Sequence, residues 1–307
     1  MIESNPSIPS KPVIVGVGEF LWDCFNGTRR AGGAPANVAF HANQFGNEGI
    51  VCTRVGSDTD GDELIEHGRK HDLCTDFIQR DPEKKTGRVT VDATRPDHPT
   101  YTIHEDVAWD HIEWNDDVAK LANRAAAVCF GTLAQRSSNS RDTIQRFLAE
   151  TKGLRVCDIN LRPPWFDESI IRSSLQQCDI LKMNHNEINS VTEVLGIEAN
   201  DDREVGDRLL KQFDLTLLSV TRAEHGCIFQ TQDHRIELPG RKIEVADAVG
   251  SGDAFSAAMI TGLVNLWPLD KTARVANAIG AEVATHNGAM PFLKDRFHEI
   301  KAEESGG

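Results

Sequence analysis

Asp247-Ala248-Val249-Gly250-Ser251-Gly252-Asp253-Ala254-Phe255 is the stretch on which the reading of this chain turns. Small residues at Gly250, Ser251 and Gly252 let the backbone turn tightly and let a ligand come close to it. Phe255, Met259, Ile260, Leu263, Val264 and Trp267 leave little polar face on the segment after the turn. The spacing therefore predicts a buried helix over Gly252–Trp267, stopped by Pro268. A glycine turn feeding a helix aims several free N–H groups and the positive end of the helix dipole at one point, which makes an anion site. Asp253, in the first turn of that helix, is at odds with a bound phosphate unless it accepts a proton or holds a metal. The plain alternative is that Asp253 caps the helix, as aspartates commonly do. Neither G-x-x-x-x-G-K-[ST] nor G-x-S-x-G fits the stretch.

Upstream of this turn, short β-rich apolar runs alternate with helical stretches. Strands are expected at Val13–Val17, Ile50–Val55, Ala127–Phe130, Arg155–Ile159, Ile180–Met183 and Thr216–Val220. Helices are expected at Pro35–Phe45, Asp60–His71, Asn115–Ala125, Ser140–Glu150, Glu187–Leu195, Arg203–Gln212 and Lys271–Thr285. Such alternation argues for βαβ units and a mostly parallel sheet covered by helices on both faces. Two runs break the rhythm. Gly87–Ala93 and Tyr101–Ile103 alternate apolar and polar residues across a turn-rich stretch, Arg95–Pro99, and read as a hairpin, either at the edge of the core or in a small subdomain.

Charge and composition narrow the function. With 33 Lys+Arg against 47 Asp+Glu the formal charge is -14, a field that repels nucleic acid and anionic membranes. The longest apolar stretch, Ala257–Trp267, is too short to span a bilayer, and the N-terminal MIESNPSIPSKP has no apolar core of a signal peptide. The 7 cysteines are far apart and never form C-x-x-C, so they read as reduced, mostly buried thiols. These features point to a cytoplasmic globular protein. Residues 301–307 are polar and are expected to fray.

A second glycine turn, Gly32-Gly33, opens a helix at Ala34-Pro35-Ala36-Asn37, with Pro35 suited to its start and Gly46 to its stop. The amide of Asn37 at the mouth of this turn can donate to and accept from a hydroxyl-rich ligand; the alternative is a surface Asn on an ordinary helix start. His41 shares its face and reads as a packed or solvent histidine. Gly16-Val17-Gly18 is a weak dinucleotide signal, because Leu21 stands at the third glycine position and Asp23 with Asn26-Gly27 looks like loop.

Taken together, Gly32–Ala39 and Asp247–Phe255 resemble the paired signatures of the ribokinase-like (PfkB) carbohydrate kinases. Further stretches agree in order: Gly18-Glu19 with Asp23, Val55–Asp58, Asp158–Arg162, Lys182–Glu187, Val220–Arg222 with Gly226, and Ala276–Ala281. Gly32–Ala39 and Asn160–Pro163 are most similar to fructokinases. The resemblance implies a three-layer α/β/α core over residues 1–20, 32–76 and 110–300. A small β-sheet lid over residues 21–31 and 77–109 would cover the sugar. Many relatives dimerise through that lid, and an exposed edge carrying Val89, Val91 and Tyr101 would suit such a contact.

The resemblance also implies ATP and Mg²⁺, often with a monovalent cation such as K⁺ beside the anion turn. By this reading Asp253 is the catalytic base, and the amides of Gly250, Ser251 and Gly252 meet the transferring phosphoryl charge. Asp23, Gly32, Gly33, Asn37 and Arg162 face the sugar or phosphoryl, with a surface ion pair as the plain alternative for Arg162. Lys182, Asn184, Thr221, Gly226 and Asn277 border the nucleotide. Glu187 acts on Mg²⁺ through water, and Asp247 marks the monovalent-cation region. The chain departs from the pattern at Ala248, where relatives usually carry Thr, and at Ser251, where they usually carry Ala. The expected reaction is ATP-dependent phosphorylation of a sugar hydroxyl, most similar to that of fructokinases. Ribose, a ketodeoxy acid, a nucleoside or a sugar phosphate as acceptor, a non-catalytic sugar- or nucleotide-binding regulator, and a Rossmann oxidoreductase are the rivals.

Overall fold

Alternation along the short strands creates two cores. In Val13–Val17, Val13, Val15 and Val17 pack into one core and Ile14 into the other. Ala127–Phe130 divides likewise, Val128 and Phe130 to the first core, Ala127 and Cys129 to the second. Such doubly buried strands read as continuous apolar runs. Helices Asp116–Arg124, Ser138–Glu150, Glu168–Gln176, His185–Leu195 and Asp202–Gln212 close the first core. Helices Ala34–Gln44, Ser251–Val264, Leu269–Ala284 and Lys294–Glu303 close the second. The result is the three-layer α/β/α fold expected from the sequence.

The structure, a computed structural model, describes residues 11–25, 27–92 and 100–304. Among them nine strands form the central sheet, in the spatial order Arg235–Leu238, Cys227–Gln230, Leu217–Thr221, Ile180–Asn184, Leu154–Asp158, Ala127–Phe130, Val13–Val17, Glu48–Gly56, Ile78–Asp81. Cys227–Gln230 is antiparallel to its two neighbours, and the other pairings are parallel. From Val13–Val17 the chain winds first to one side of the sheet and then crosses to the other. That switch opens a crevice at the carboxyl ends of Val13–Val17 and Ala127–Phe130, the place where open α/β sheets bind ligands. A second sheet, ordered Thr28–Gly32, Leu21–Phe25, Arg88–Asp92, Thr100–Ile103, stands beside it.

Several expectations change. Ile78–Asp81, expected in the lid, pairs in parallel with Glu48–Gly56 on the large sheet. Trp109, also expected there, is fully buried in the first core, with the Arg136 guanidinium 4.1 Å above its ring. Asp23 lies in a strand and not in a loop, because Leu21–Phe25 is held by strands on both sides. Val89 faces inward onto Leu21 rather than forming an exposed edge. Residues 301–304 do not fray: Glu304 ends a helix and forms ion pairs with Arg241 and Arg274. The side chains of Val91 and Tyr101, the stretch 95–99, Asn26, residues 1–10 and residues 305–307 lie outside the described residues. All 7 cysteines are free, and Cys52, Cys129, Cys157, Cys178 and Cys227 are buried. No helix among the described residues is long and apolar enough to cross a membrane.

Candidate active site

Four elements bring their ends to the crevice. The helix Ser251–Val264 opens from Gly250, whose φ of +80° is left-handed backbone and whose Cβ, were there one, would sit 2.6 Å from the Ala289 Cα. Glycine is therefore required there. No side chain caps this helix. Asp253, half-buried in its first turn, turns away from the capping position and accepts a 2.7 Å hydrogen bond at Oδ2 from Asn37 Nδ2. The cap reading of Asp253 is thereby replaced by a contact with a residue 216 positions away.

Asn37 sits in the helix Ala34–Gln44, 3% exposed, and its Oδ1 has no hydrogen-bond partner. A buried acceptor left unpaired costs about 1–3 kcal/mol, which a ligand hydroxyl would relieve. Asp23 approaches from the second sheet, so close that a Cβ on Gly32 would lie 2.3 Å from its Oδ2. Glu19, just past the carboxyl end of the Val13–Val17 strand, is 4% exposed, with the backbone of Glu19 and Ala34 favouring its ionised form. His41, on the Asn37 face, is buried and bonds the Ala289 carbonyl at 2.9 Å, as a packed histidine.

Crowded carboxylates resist ionisation. Burial raises the Glu19 pKa to about 7, with Asp253 adding to the rise and the Arg162 charge opposing it. Burial likewise raises Asp23 to about 6, again with Arg162 opposing and Asp253 adding. Asp253 itself is raised to about 6 by burial and then by Asp158, against the Asn37 bond, Lys182 and Arg162. Arg162 is exposed and donates to the Leu161 carbonyl at 3.0 Å; its charge acts on all three acids. No ion pair fixes it among the described residues, so the surface-pair alternative does not hold.

The anion turn is only partly free. Ser251 N–H makes a 3.3 Å turn bond to the Ala248 carbonyl, which corrects its assignment as an open donor. Among the described residues, the Gly250 and Gly252 amides donate to no protein acceptor. Behind Gly252 lies a cation: a Cβ there would meet Lys182 Nζ at 3.2 Å. Lys182 bonds both Asp158 oxygens, at 3.0 and 2.9 Å, and Ser256 Oγ donates to Asp158 Oδ2 at 2.9 Å. Burial works to lower the Lys182 pKa, but Asp158, then Asp253 and Glu187, outweigh it and hold it above the ordinary lysine value. Lys182 thus places a positive charge directly behind the turn.

Other expected nucleotide and metal residues are engaged by protein. Asn184 and Glu187 form a capping box: Glu187 N donates to Asn184 Oδ1 at 3.2 Å, and Asn184 N to Glu187 Oε2 at 2.7 Å. Glu187 Oε1 accepts from Leu161 N at 2.7 Å, so this acid, its pKa raised by burial, holds the 160–162 loop. Gly226 has a φ of +87°, and a Cβ there would strike the Leu238 carbonyl at 2.0 Å, so the backbone contact alone requires glycine. Asn277 Nδ2 donates to the Pro239 carbonyl at 2.9 Å, and Thr221 ends a strand beside Asn184. Asp247 binds Arg30 Nη1 at 2.8 Å where a monovalent cation is expected from the resemblance. No three His, Cys, Asp or Glu side chains gather as a metal-holding group among the described residues.

Sequence reading misses the Asp158–Lys182 pair and the place of Glu19. A signal exists for the pair. Lys182 interrupts the apolar run Ile180–Met183, and a lysine in a buried parallel strand requires a carboxylate beside it. Asp158 is its register partner on the next strand.

Known proteins share this fold. The model of the pfkB family carbohydrate kinases matches residues 17–296. An uncharacterized sugar kinase of Pyrococcus horikoshii is 30% identical over 85% of this chain and 83% of its own. Its structure in complex with ATP superposes with a TM-score of 0.82, covering 95% and 99% of the two chains at 26% identity. Fructokinase-1 of Oryza sativa is 27% identical over 96% of this chain and 94% of its own. A fructokinase of Vibrio cholerae, solved with fructose, ADP and potassium ion, shares the fold at a TM-score of 0.81 and 20% identity, covering 95% and 98% of the two chains. Matched by the family over nearly its whole length, and carrying both glycine turns at one crevice, the chain belongs to the pfkB family of carbohydrate kinases.

Proposed function

We propose that this sugar kinase transfers the γ-phosphoryl of ATP to a hydroxyl of fructose, with Asp253 as the base. The contact that carries the reading is the 2.7 Å bond from Asn37 Nδ2 to Asp253 Oδ2, which fixes a carboxylate beside two unpaired turn amides. ATP and Mg²⁺ are the expected cofactors, Mg²⁺ supplying charge neutralisation on the phosphates when bound. Both Glu187 oxygens hold backbone amides, so it fits Mg²⁺ only through water. Asp23, Asn37 and the Gly32–Gly33 backbone hold the sugar hydroxyls, and the second sheet lies over them as a lid. A new P–O bond forms at the sugar oxygen as the bond to ADP breaks, and the hydroxyl proton passes to Asp253 Oδ. A loose transition state lets that proton leave late, so a carboxylate of modest basicity suffices. Gly250 and Gly252 N–H groups meet the migrating charge without reorganising.

Coupled ADP-release assays over fructose, ribose, a ketodeoxy acid and adenosine test this. Fructose is expected to give the highest kcat/KM, and a clear preference for another acceptor overturns the choice of sugar. Asp253 must be ionised to act, so kcat/KM is expected to climb about tenfold from pH 5 to pH 7, following a group near 6. Asp23 titrates in the same range and steepens the lower limb. A profile flat across that interval excludes both acids from the rate.

A further inference from the structure

Helix Ala34–Gln44 turns one face toward the C-terminal half of the chain. Asn37, His41 and Gln44 lie along that face, all buried, and bond partners 216, 248 and 249 positions away. Asn37 holds Asp253. Leu293 N donates to Gln44 Oε1, which orients the Gln44 amide so that its Nε2 donates to His41 Nδ1 at 3.1 Å. The ring proton is thereby placed on His41 Nε2, which donates to the Ala289 carbonyl at 2.9 Å. Burial pushes the His41 pKa down to about 4, against the Ala289 bond, so the neutral ring keeps this tautomer at pH 7. Stacking on Phe297, with centroids 5.8 Å apart and planes 25° from parallel, fixes the ring plane.

Ala289 is what the glycine turn leans on. A Cβ on Gly250 would lie 2.6 Å from the Ala289 Cα and 2.7 Å from the Ala289 carbonyl oxygen, the same oxygen that His41 holds. One residue earlier, Gly288 N donates to Asp247 Oδ2 at 3.1 Å, while Asp247 Oδ1 accepts from Val249 N at 3.0 Å. Residues 288–289 thus back the turn formed by residues 247–250. We propose that His41 is a positioning residue for this turn: its Nε2–H bond to Ala289 sets the backbone against which Gly250 packs, and so the direction of the Gly250 N–H. One helix face then places both the carboxylate, through Asn37, and the turn, through His41, and keeps their spacing fixed. The proposal rests on Gly250–Gly252 being the phosphate turn, but its test needs no turnover.

Calorimetric titration of the full chain with AMP-PNP, a non-hydrolysable ATP analogue, and with AMP, both in Mg²⁺, reads the turn. The two ligands differ only in their outer phosphates, so wild type is expected to bind AMP-PNP more tightly. His41→Phe keeps the stacked ring and removes the N–H. It is expected to weaken AMP-PNP about tenfold and to leave AMP within about twofold, a split that general loosening of the fold does not produce. His41→Gln, which carries an amide N–H close to the place of the imidazole Nε2–H, is expected to return AMP-PNP to within about threefold of wild type. A His41→Phe protein with the wild-type preference for AMP-PNP overturns the proposal, and so does a lost preference that His41→Gln fails to restore. If His41→Phe does not fold, His41→Asn, long enough for Gln44 but short of Ala289, takes its place with the same readings. Wild type that binds the two nucleotides equally removes the phosphate turn and this proposal together. Wild type that discriminates, beside a His41→Phe protein that discriminates as well, removes this proposal alone.

Discussion

Asp253→Asn is expected to cut sugar-dependent ADP formation by about 10²–10⁴-fold while making the folded protein more stable at pH 7. The loss of rate follows from removing the carboxylate placed to take the hydroxyl proton; Asn keeps the shape and still accepts from Asn37. The gain in stability follows from the raised pKa. An acid whose folded pKa lies above its unfolded value stabilises the fold below the unfolded value, near 4, and loses that contribution as pH rises through about 6. At pH 7 the ionised Asp253 is thus a burden, one that Asn does not carry. A rise from the ordinary aspartate range to about 6 corresponds to about 3 kcal/mol at full burial, and partial solvent access at Asp253 reduces this to about 1 kcal/mol. Melting curves at pH 7 and pH 5 check it: the variant should melt about 1–2 °C higher at pH 7, with a smaller gain at pH 5. ADP assays with and without fructose check the rate. Near-normal turnover removes Asp253 as base, whatever the melting curves show.

The same electrostatics explain how much of the site can be read from the chain. Local pattern carries the glycine turns, because a tight turn before an apolar helix is written in adjacent residues; Gly250, Asp253, Gly33 and Asn37 are all visible that way. Partners distant in sequence are not. Asp247 and Arg30 are 217 positions apart, and only the docking of the second sheet brings them together. The strands Leu21–Phe25 and Thr28–Gly32 hold Asp and Arg residues that read as loop, yet pairing on the sheet overrides that propensity. Helix Lys294–Glu303 hides in a polar C-terminal stretch, where only Phe297 and Ile300 point to the core. Residues assigned by resemblance alone divide in the same way. Glu187 and Gly226 owe their identities to a capping box and a backbone contact, which a motif match does not distinguish from ligand binding.

Lys182→Met is expected to lower the unfolding free energy by about 3–5 kcal/mol, among the largest single effects in the molecule. Lys182 is 6% exposed and Asp158 3%, so removing the ammonium leaves a carboxylate in the interior with Ser256 as its remaining side-chain donor. The double variant Lys182→Met with Asp158→Asn is expected to recover most of the loss, because the uncompensated charge, not the missing contact, dominates. Urea titration of the three proteins measures both figures; a single variant within about 1 kcal/mol of wild type refutes the burial of the pair. The double variant then isolates what the ammonium does for chemistry. With the fold restored and no cation behind Gly252, the turn amides alone must hold the phosphates. ATP affinity is therefore expected to stay weak in the double variant although its stability returns, a split that a purely structural ion pair does not produce.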